Sequence, residues 1–100
     1  MADLSLVIGF EWDAGNERKG LDRHDVSQAE AEQIFSDAHL LVLKDDRHSP
    51  LETRWHALGR TDAGRVLHVT FTLRHGGTRI RIISARAMHK KERQIYEQED

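Results

Sequence analysis

Arginine is the residue type whose number and spacing most clearly suggest chemistry in this sequence. Arg79 and Arg81 alternate with Ile80 and Ile82, a pattern typical of a strand with one cationic face and one apolar face. A guanidinium group presents a planar fork of donors that matches a phosphate, and it stays charged at neutral pH. An anion-binding face is therefore indicated, although any single arginine could instead form a surface ion pair. Five arginines fall on or beside the predicted strands: Arg54, Arg74, Arg79, Arg81 and Arg86.

The charge distribution along the chain favours the same interpretation. Residues 1–50 contain 5 Lys+Arg against 11 Asp+Glu, whereas residues 51–100 contain 10 against 6, so the net charge of −2 hides an acidic half and a basic half. A localised basic half indicates an anion-binding face rather than a polybasic coat. The alternative, a solvated arginine-rich surface, is equally compatible with the charge counts alone.

Candidate proton-transfer groups are found among the seven histidines. His24 and His89 lie beside basic residues near the ends of predicted elements, and histidine can transfer protons near neutral pH. His89, Arg93 and Tyr96 follow the spacing i, i+4, i+7, which predicts one helical face. The histidine spacing matches no zinc motif, and the sequence has no cysteine. We therefore expect no metal site, no cofactor and no thiolate chemistry.

The hydrophobic pattern predicts the elements that position these groups. The Ser27 and Glu30 pair forms an S-x-x-E capping box for a helix that reaches to about Phe35. Consecutive strands with short turns predict an antiparallel meander, and the fold class is therefore α+β, an antiparallel sheet with two N-terminal helices packed on it and a C-terminal helix. Strands are predicted at residues 4–12, 40–43, 52–58 and 66–73 and from residue 79, and helices at residues 13–23, 27–35 and after residue 84.

The last strand and the last helix must place two arginines together. Arg81 and Arg86 are five residues apart and cannot share one face of a flat strand, so we expect Arg86 to lie past the strand's end, at the turn into the last helix. Ser84 would be the N-cap of that helix. Ser84 lies in no G-x-S-x-G motif, so a hydrolase nucleophile is not indicated.

The length and the apolar content limit the remaining possibilities. One hundred residues predict one domain, spanning 1–100. No apolar run is long enough to cross a bilayer, and the N-terminus lacks the features of a signal peptide. We expect a cytoplasmic protein with no membrane partner.

A series of short motifs runs in order along the chain from about Phe10 to Tyr96. The motifs are Phe10-x-Trp12-Asp13-x-Gly15-Asn16-x-x-Lys19, His24-x-Val26-Ser27 with Glu30 and Phe35, His48-Ser49, Glu52-x-Arg54, Gly59, Gly64-Arg65, Phe71-Thr72-x-Arg74, Ile80-Arg81-x-Ile83-Ser84-Ala85-Arg86-x-Met88, and Lys91-Glu92 with Tyr96. Ile-Ser-Ala-Arg followed by a charged helix is the most specific block, and the block around His24 is the second. These ordered motifs resemble those of the BrnT toxins, the toxin half of bacterial type II toxin–antitoxin pairs.

The resemblance implies a RelE-like fold and a small endoribonuclease that inhibits translation by cutting RNA. It also implies a cognate BrnA-type antitoxin with a ribbon-helix-helix domain, so that DNA would be contacted only through the antitoxin. Where the family usually has Lys-His-Gly or Lys-His-Asn, this chain has Arg23-His24-Asp25. That departure keeps open a second interpretation, a catalytically decayed RNA- or protein-binding module of a toxin–antitoxin complex.

The candidate site combines these residues for metal-independent cleavage by the ribose 2′-hydroxyl. Such a reaction needs a base, an acid and cations around the phosphorane. Arg54, Arg81 and Arg86 are predicted to hold the phosphate, with Glu52 as a base or as the partner that orients Arg54. The other predicted catalytic residues are Lys19, His24 and Tyr96, and the predicted RNA-binding residues are Arg23, Arg74, Arg79, His89 and Arg93.

Overall fold

The computed structural model describes residues 3–16, 25–47 and 52–98 of the chain. In this part of the chain, no helix is long and apolar enough to span a membrane. The elements are β1 (Gly9–Glu11), α1 (Gln28–Gln33), a 3-10 helix (Ile34–Ser36), β2 (Leu41–Asp45), β3 (Arg54–Arg60), β4 (Val66–Arg74), β5 (Arg79–Ala87) and α2 (Lys90–Gln98).

One five-stranded sheet with the order β1-β5-β4-β3-β2 forms the centre of the fold. Strands β2 to β5 form the predicted antiparallel meander. Strand β1 pairs in parallel with β5, with Phe10 opposite Ile80, so the sheet is mixed and the prediction of a wholly antiparallel sheet is wrong at this edge. The local pattern of β1 cannot reveal this pairing, because its partner lies about 70 residues later in the chain.

The helices differ from the prediction in number. The described residues contain two α-helices rather than three. Residues 14–16 form a turn, and the rest of the predicted 13–23 helix falls on residues 17–24, outside the described part. The predicted capping box of α1 is confirmed: the Ser27 hydroxyl accepts from the Glu30 N–H, and the Glu30 carboxylate accepts from the Ser27 N–H, both at 3.0 Å.

The main core lies between the sheet and α1. Ala31 and Ile34 pack on the sheet residues Val69, Phe71 and Ile82. Three aromatic rings extend this layer toward β1, since Phe35 meets Phe10 and Phe71 edge-to-face with centroids 5.6 and 5.2 Å apart. Edge-to-face pairs of this kind contribute about 0.5–1.5 kcal/mol each beyond the area they bury.

The opposite face of the sheet, called the open face below, is covered only in part. Helix α2 lies over one end of it, where Tyr96, Met88 and Leu58 form a second small cluster. The remainder of the open face carries mostly polar side chains together with the exposed Leu43, and a site can form there.

A β-bulge decides which side chains of β5 reach the open face. Thr70 pairs with Ser84 while Phe71 pairs with Ile82, so Ile83 is an extra residue without a counterpart on β4. The extra residue shifts by one position the alternation of β5 side chains between the two faces of the sheet. Arg81 and Arg86 both lie within β5 and both point to the open face.

Two predictions about this segment are therefore wrong. Arg86 does not lie past the end of the strand, and Ser84 is a strand residue opposite Thr70 rather than a helix N-cap. Both errors have one cause. The prediction assumed that side chains alternate strictly between the two faces of the strand, and it therefore ended the strand where the sequence no longer alternates.

Gly59 permits the close approach of β3 to the 3-10 helix, and this contact gives a test of the packing. A Cβ at position 59 would lie 2.7 Å from Ile34 Cβ and 3.0 Å from the Ile34 carbonyl oxygen. Gly59→Ala should therefore lower the free energy of unfolding by about 1–3 kcal/mol, measured by urea denaturation with tryptophan fluorescence. The matched control is Gly9→Ala, whose Cβ would meet only Arg79 side-chain atoms at 3.8 Å or more. Equal effects of the two variants would contradict this packing.

Candidate functional site

Polar side chains, with leucines at the β2 and β3 ends of two rows, cross the open face in three rows that run from strand to strand. Residues two apart on a strand project from the same face at a spacing of roughly 7 Å, so the rows form one continuous strip. The pairing of the strands gives the rows as Leu41, Leu58, His68 and Arg86; then Leu43, His56, Thr70 and Ser84; then Asp45 and Arg54, followed by Thr72, Arg81 and Glu11.

The third row ends in a polar cleft of about 160 Å³, called the arginine cleft below. Arg54 and Arg81 line it together with Glu52, which was also predicted as a site residue. The structure therefore brings three of the predicted catalytic residues to one place. The cleft is lined by Gly15, Asn16, Glu52, Arg54, Arg81 and Ile83.

Arg81 is held by two carboxylates. Its guanidinium donates to Glu11 at 3.0 Å and to both carboxylate oxygens of Asp13 at 2.8 and 3.1 Å, and its side chain is only 16% exposed. The hydrogen bond to Arg81 lowers the pKa of Asp13, and the same bond raises the pKa of Arg81. Arg81 is thus fixed in position, with its charge compensated in the free protein.

Asn16 positions the turn that borders the arginine cleft. Its buried amide donates to the carbonyl oxygens of Glu11 and Ile82 at 3.0 and 2.8 Å, and its side-chain oxygen accepts from the Asp13 N–H at 2.8 Å. These bonds tie the end of β1 to β5 and fix Asp13 beside Arg81. The chain enters residues 17–24 directly after Asn16, and the predicted residues Lys19, Arg23 and His24 lie in that range, outside the described residues.

Arg86 occupies the first row, away from the arginine cleft. It forms a two-point ion pair with Glu92 at 2.7 and 2.8 Å, and Glu92 also accepts from the His89 N–H at 2.8 Å. Burial would raise the pKa of Glu92, but these bonds outweigh burial and lower it to about 2. Arg86 thus anchors the start of α2 to the sheet.

The remaining predicted residues are spread over the molecule. Arg74 lies 3.3 Å from Glu52, and Arg79 reaches the Thr78 carbonyl at 3.5 Å. His89 and Arg93 are exposed. Tyr96 is buried away from the arginine cleft, and its hydroxyl donates to Asp37. Their roles in RNA binding or catalysis stay predictions.

Two histidines that the sequence did not single out lie in the middle of the open face. The ring of His56 lies between Asp45, 3.0 Å from Nε2, and Thr70, 3.1 Å from Nδ1. It stacks on His68 with ring centroids 4.8 Å apart. Burial lowers the pKa of His68 to about 4, and the nearby charge of Arg86 adds to this effect. Strand alternation places His68 outward, but its contact with His56 depends on the register of β3 against β4.

The ionisable groups do not form an evident metal centre. Across residues 3–16, 25–47 and 52–98, no group of three or more His, Asp or Glu side chains is arranged to hold a metal ion.

The structure is a small α+β fold with a mixed five-stranded sheet, and arginines lie among the side chains of one open sheet face. The chain belongs to the BrnT family, whose model, described as the ribonuclease toxin BrnT of type II toxin–antitoxin systems, matches residues 12–92. Its members are ribonuclease toxins, and membership in a toxin–antitoxin system implies an antitoxin partner and an RNA substrate. The resemblance found in the sequence is thereby confirmed.

A solved structure confirms the fold. The chain is similar to the crystal structure of the Brucella abortus ribonuclease toxin, BrnT, with a TM-score of 0.61 and 19% sequence identity, covering 84% of this chain and 100% of the other. At this identity the likeness supports the fold alone. Among curated proteins, no relative matches the sequence.

The burial of His68 predicts a pH dependence of stability. Its pKa is about 4 in the folded chain against an ordinary value of 6.5, so the unfolded chain takes up the proton first as the pH falls. The contribution of neutral His68 to the free energy of unfolding is complete above pH 6.5 and is lost as the pH falls toward 4. The pKa difference corresponds to about 3 kcal/mol.

Urea unfolding between pH 7 and pH 4 measures this loss. His68→Gln should flatten the dependence of the unfolding free energy on pH, whereas the control His89→Gln, at an exposed position, should retain it. The same slope in all three proteins would contradict the assignment to His68.

Proposed function

We propose that this chain is an endoribonuclease that cuts messenger RNA and thereby inhibits translation, acting without a metal ion. The observation that carries the proposal is the arginine cleft, where Arg54 and Arg81 lie beside Glu52 at the end of an open sheet face. The cleft is polar and small, as suits a phosphate group rather than an apolar ligand. The family assignment supplies the reaction class.

In the proposed reaction the ribose 2′-hydroxyl attacks the adjacent phosphorus and the 5′-oxygen leaves. The products are a 2′,3′-cyclic phosphate and a 5′-hydroxyl end. Arg54 and Arg81 stabilise the charge that accumulates on the phosphorane, since donors fixed in advance need no reorganisation during the reaction. Glu52 takes the proton from the 2′-hydroxyl or orients an arginine, and His24, with Lys19, gives a proton to the leaving oxygen or positions the phosphate.

Binding of RNA at Arg81 is an exchange of anions. In the free protein, Glu11 and Asp13 occupy the donors that a phosphate would use. Both carboxylates remain charged at neutral pH, because hydrogen bonds lower the pKa of each, led by His75 for Glu11 and by Arg81 for Asp13. A phosphate that takes these N–H groups replaces a carboxylate oxygen, and the carboxylates thereby limit unspecific anion binding.

The proposed partner is a BrnA-type antitoxin with a ribbon-helix-helix domain. Membership in a type II system supports an antitoxin, and the specific type follows from the resemblance of the sequence motifs. The complex would repress its own operon, with DNA contacted through the antitoxin alone.

One observation bears on the alternative of a decayed, non-catalytic module. Asp25 has φ of 54°, in the left-handed region, and its carbonyl accepts from Arg65 at 2.7 Å. Glycine and asparagine, the usual family residues here, favour this backbone, and aspartate also tolerates it. The departure at position 25 therefore fits the backbone of an intact toxin, while the change to Arg23 still supports the alternative.

Cleavage of RNA by the purified chain in EDTA tests the proposal. We expect products with 5′-hydroxyl ends, and we expect Arg81→Ala to lower the rate by roughly 100-fold, because one donor to the transition-state charge is lost. Induction of the wild type should arrest growth, and Arg81→Ala should relieve the arrest.

Lys44→Ala is the matched control, because Lys44 is an exposed cation opposite Trp55, on the other face of the sheet. It should cut RNA at the wild-type rate. Products with 5′-phosphate ends, or loss of activity in EDTA, would refute this mechanism. A harmless wild type that cuts no RNA would favour the non-catalytic alternative.

A further inference from the structure

A groove of about 370 Å³ lies at the other end of the open face, between the sheet and α2. Its residues come from β2, β3, β4, β5 and α2, and we call it the histidine groove. It is lined by Leu43, His56, Leu58, His68, Arg86, Glu92 and Ile95. None of its residues lines the arginine cleft.

The histidine groove combines flat rings with exposed aliphatic groups. The rings of His56 and His68 contact each other at an interplanar angle of 37°, and His56, whose side chain is 30% exposed against 11% for His68, presents the accessible imidazole surface. Leu43 and Ile95 are 44% and 40% exposed, although both are large apolar side chains. Flat rings and aliphatic walls suit a planar, weakly polar group.

The groove also contains an unsatisfied polar atom. His68 is only 9% exposed, and its Nδ1 has no hydrogen-bond partner. An unpaired polar atom in a buried position costs free energy, and this nitrogen, with less than 1 Å² of accessible surface, is shielded from a ligand in the groove. By contrast, both Glu92 oxygens are engaged by Arg86.

The groove and the arginine cleft lie along the same strands. Arg54 and His56 are two residues apart on β3, which places them roughly 7 Å apart along one face. That spacing is of the order of one nucleotide in an extended strand. An RNA whose phosphate lies at Arg54 and Arg81 therefore brings a neighbouring base to the histidine rings.

We propose that the histidine groove is a base-binding subsite that receives one unstacked base of the RNA whose phosphate occupies the arginine cleft. The inference rests on the proposed function and adds where the substrate's base is bound. Single-stranded RNA is commonly held by stacking of bases on aromatic side chains, histidine included. Because Arg86 and Glu92 already satisfy each other, stacking rather than edge recognition selects the base, and purines bind more tightly than pyrimidines.

Nucleotide titration followed by NMR tests this subsite without requiring cleavage. The probes are AMP, GMP, CMP and UMP, with inorganic phosphate as the control, at constant pH. The ring Hε1 resonances of His56 and His68 should shift with all four nucleotides, with at least threefold tighter binding of the purines. Inorganic phosphate alone should leave both resonances in place.

Two pairs of substitutions locate the binding site. Leu43→Ala combined with Ile95→Ala should weaken purine binding at least fivefold, because the walls that enclose the base are lost. The matched control combines Leu6→Ala with Ile8→Ala, two exposed apolar residues outside the groove. This control should bind nucleotides as the wild type does.

The possible outcomes separate the subsite from the proposed function. Nucleotide shifts at both histidines in a chain that cuts no RNA would support the subsite and count against the ribonuclease. RNA cleavage without nucleotide-induced shifts of the His56 and His68 resonances would overturn the subsite and leave the proposed function standing. Equal nucleotide binding by the two double variants would do the same. If a co-expressed antitoxin protects the Leu43 and Ile95 methyl groups while nucleotides do not, the groove is a protein-docking surface and the inference is wrong.

Discussion

The pairing of β4 with β5 through a single bulge is the constraint on which the rest of the structure depends. Before Ile83, the chain places Ile80 and Ile82 in the core and Arg81 outside, and after it Ala85 is inside and Arg86 outside. If the same residues paired with β4 in unbroken alternation, without the bulge at Ile83, Arg86 would point into the apolar layer beneath the sheet, at a large desolvation cost. One unpaired residue therefore allows the segments before and after it, with Arg81 and Arg86, to contribute cations to the same face.

Charge compensation is the second organising feature of the open face. Arg81 is held by Glu11 and Asp13, Arg86 by Glu92, and Arg74 lies near Glu52. These carboxylates keep the side chains ordered, so little conformational entropy is lost when a ligand binds. Under the proposed function they make phosphate binding an exchange of anions, which is compatible with a net charge of −2.

The sequence predicted the structure correctly where the deciding pattern lay within one helix or within consecutive strands. The capping box at Ser27 and Glu30, the meander from β2 to β5 and the outward position of Arg81 follow from local pattern, and the structure has all three. Prediction failed for Ser84 and for the pairing of β1. For Ser84, the bulge interrupted the alternation of side chains along β5. For β1, the partner strand β5 lies about 70 residues later in the chain.

The sequence by itself determined the α+β class, the BrnT family and the residue types available for phosphate chemistry, because hydrophobic period and short motifs are local properties. Only the tertiary structure decided which of those residues meet. Asn16 bonds to Ile82 across 66 positions, and Arg81 bonds to Asp13 across 68. The stack of His56 on His68 likewise depends on strand register. Register is fixed by packing of the whole sheet on α1 rather than by either strand alone, so the two halves of the open face emerge only when the chain is folded.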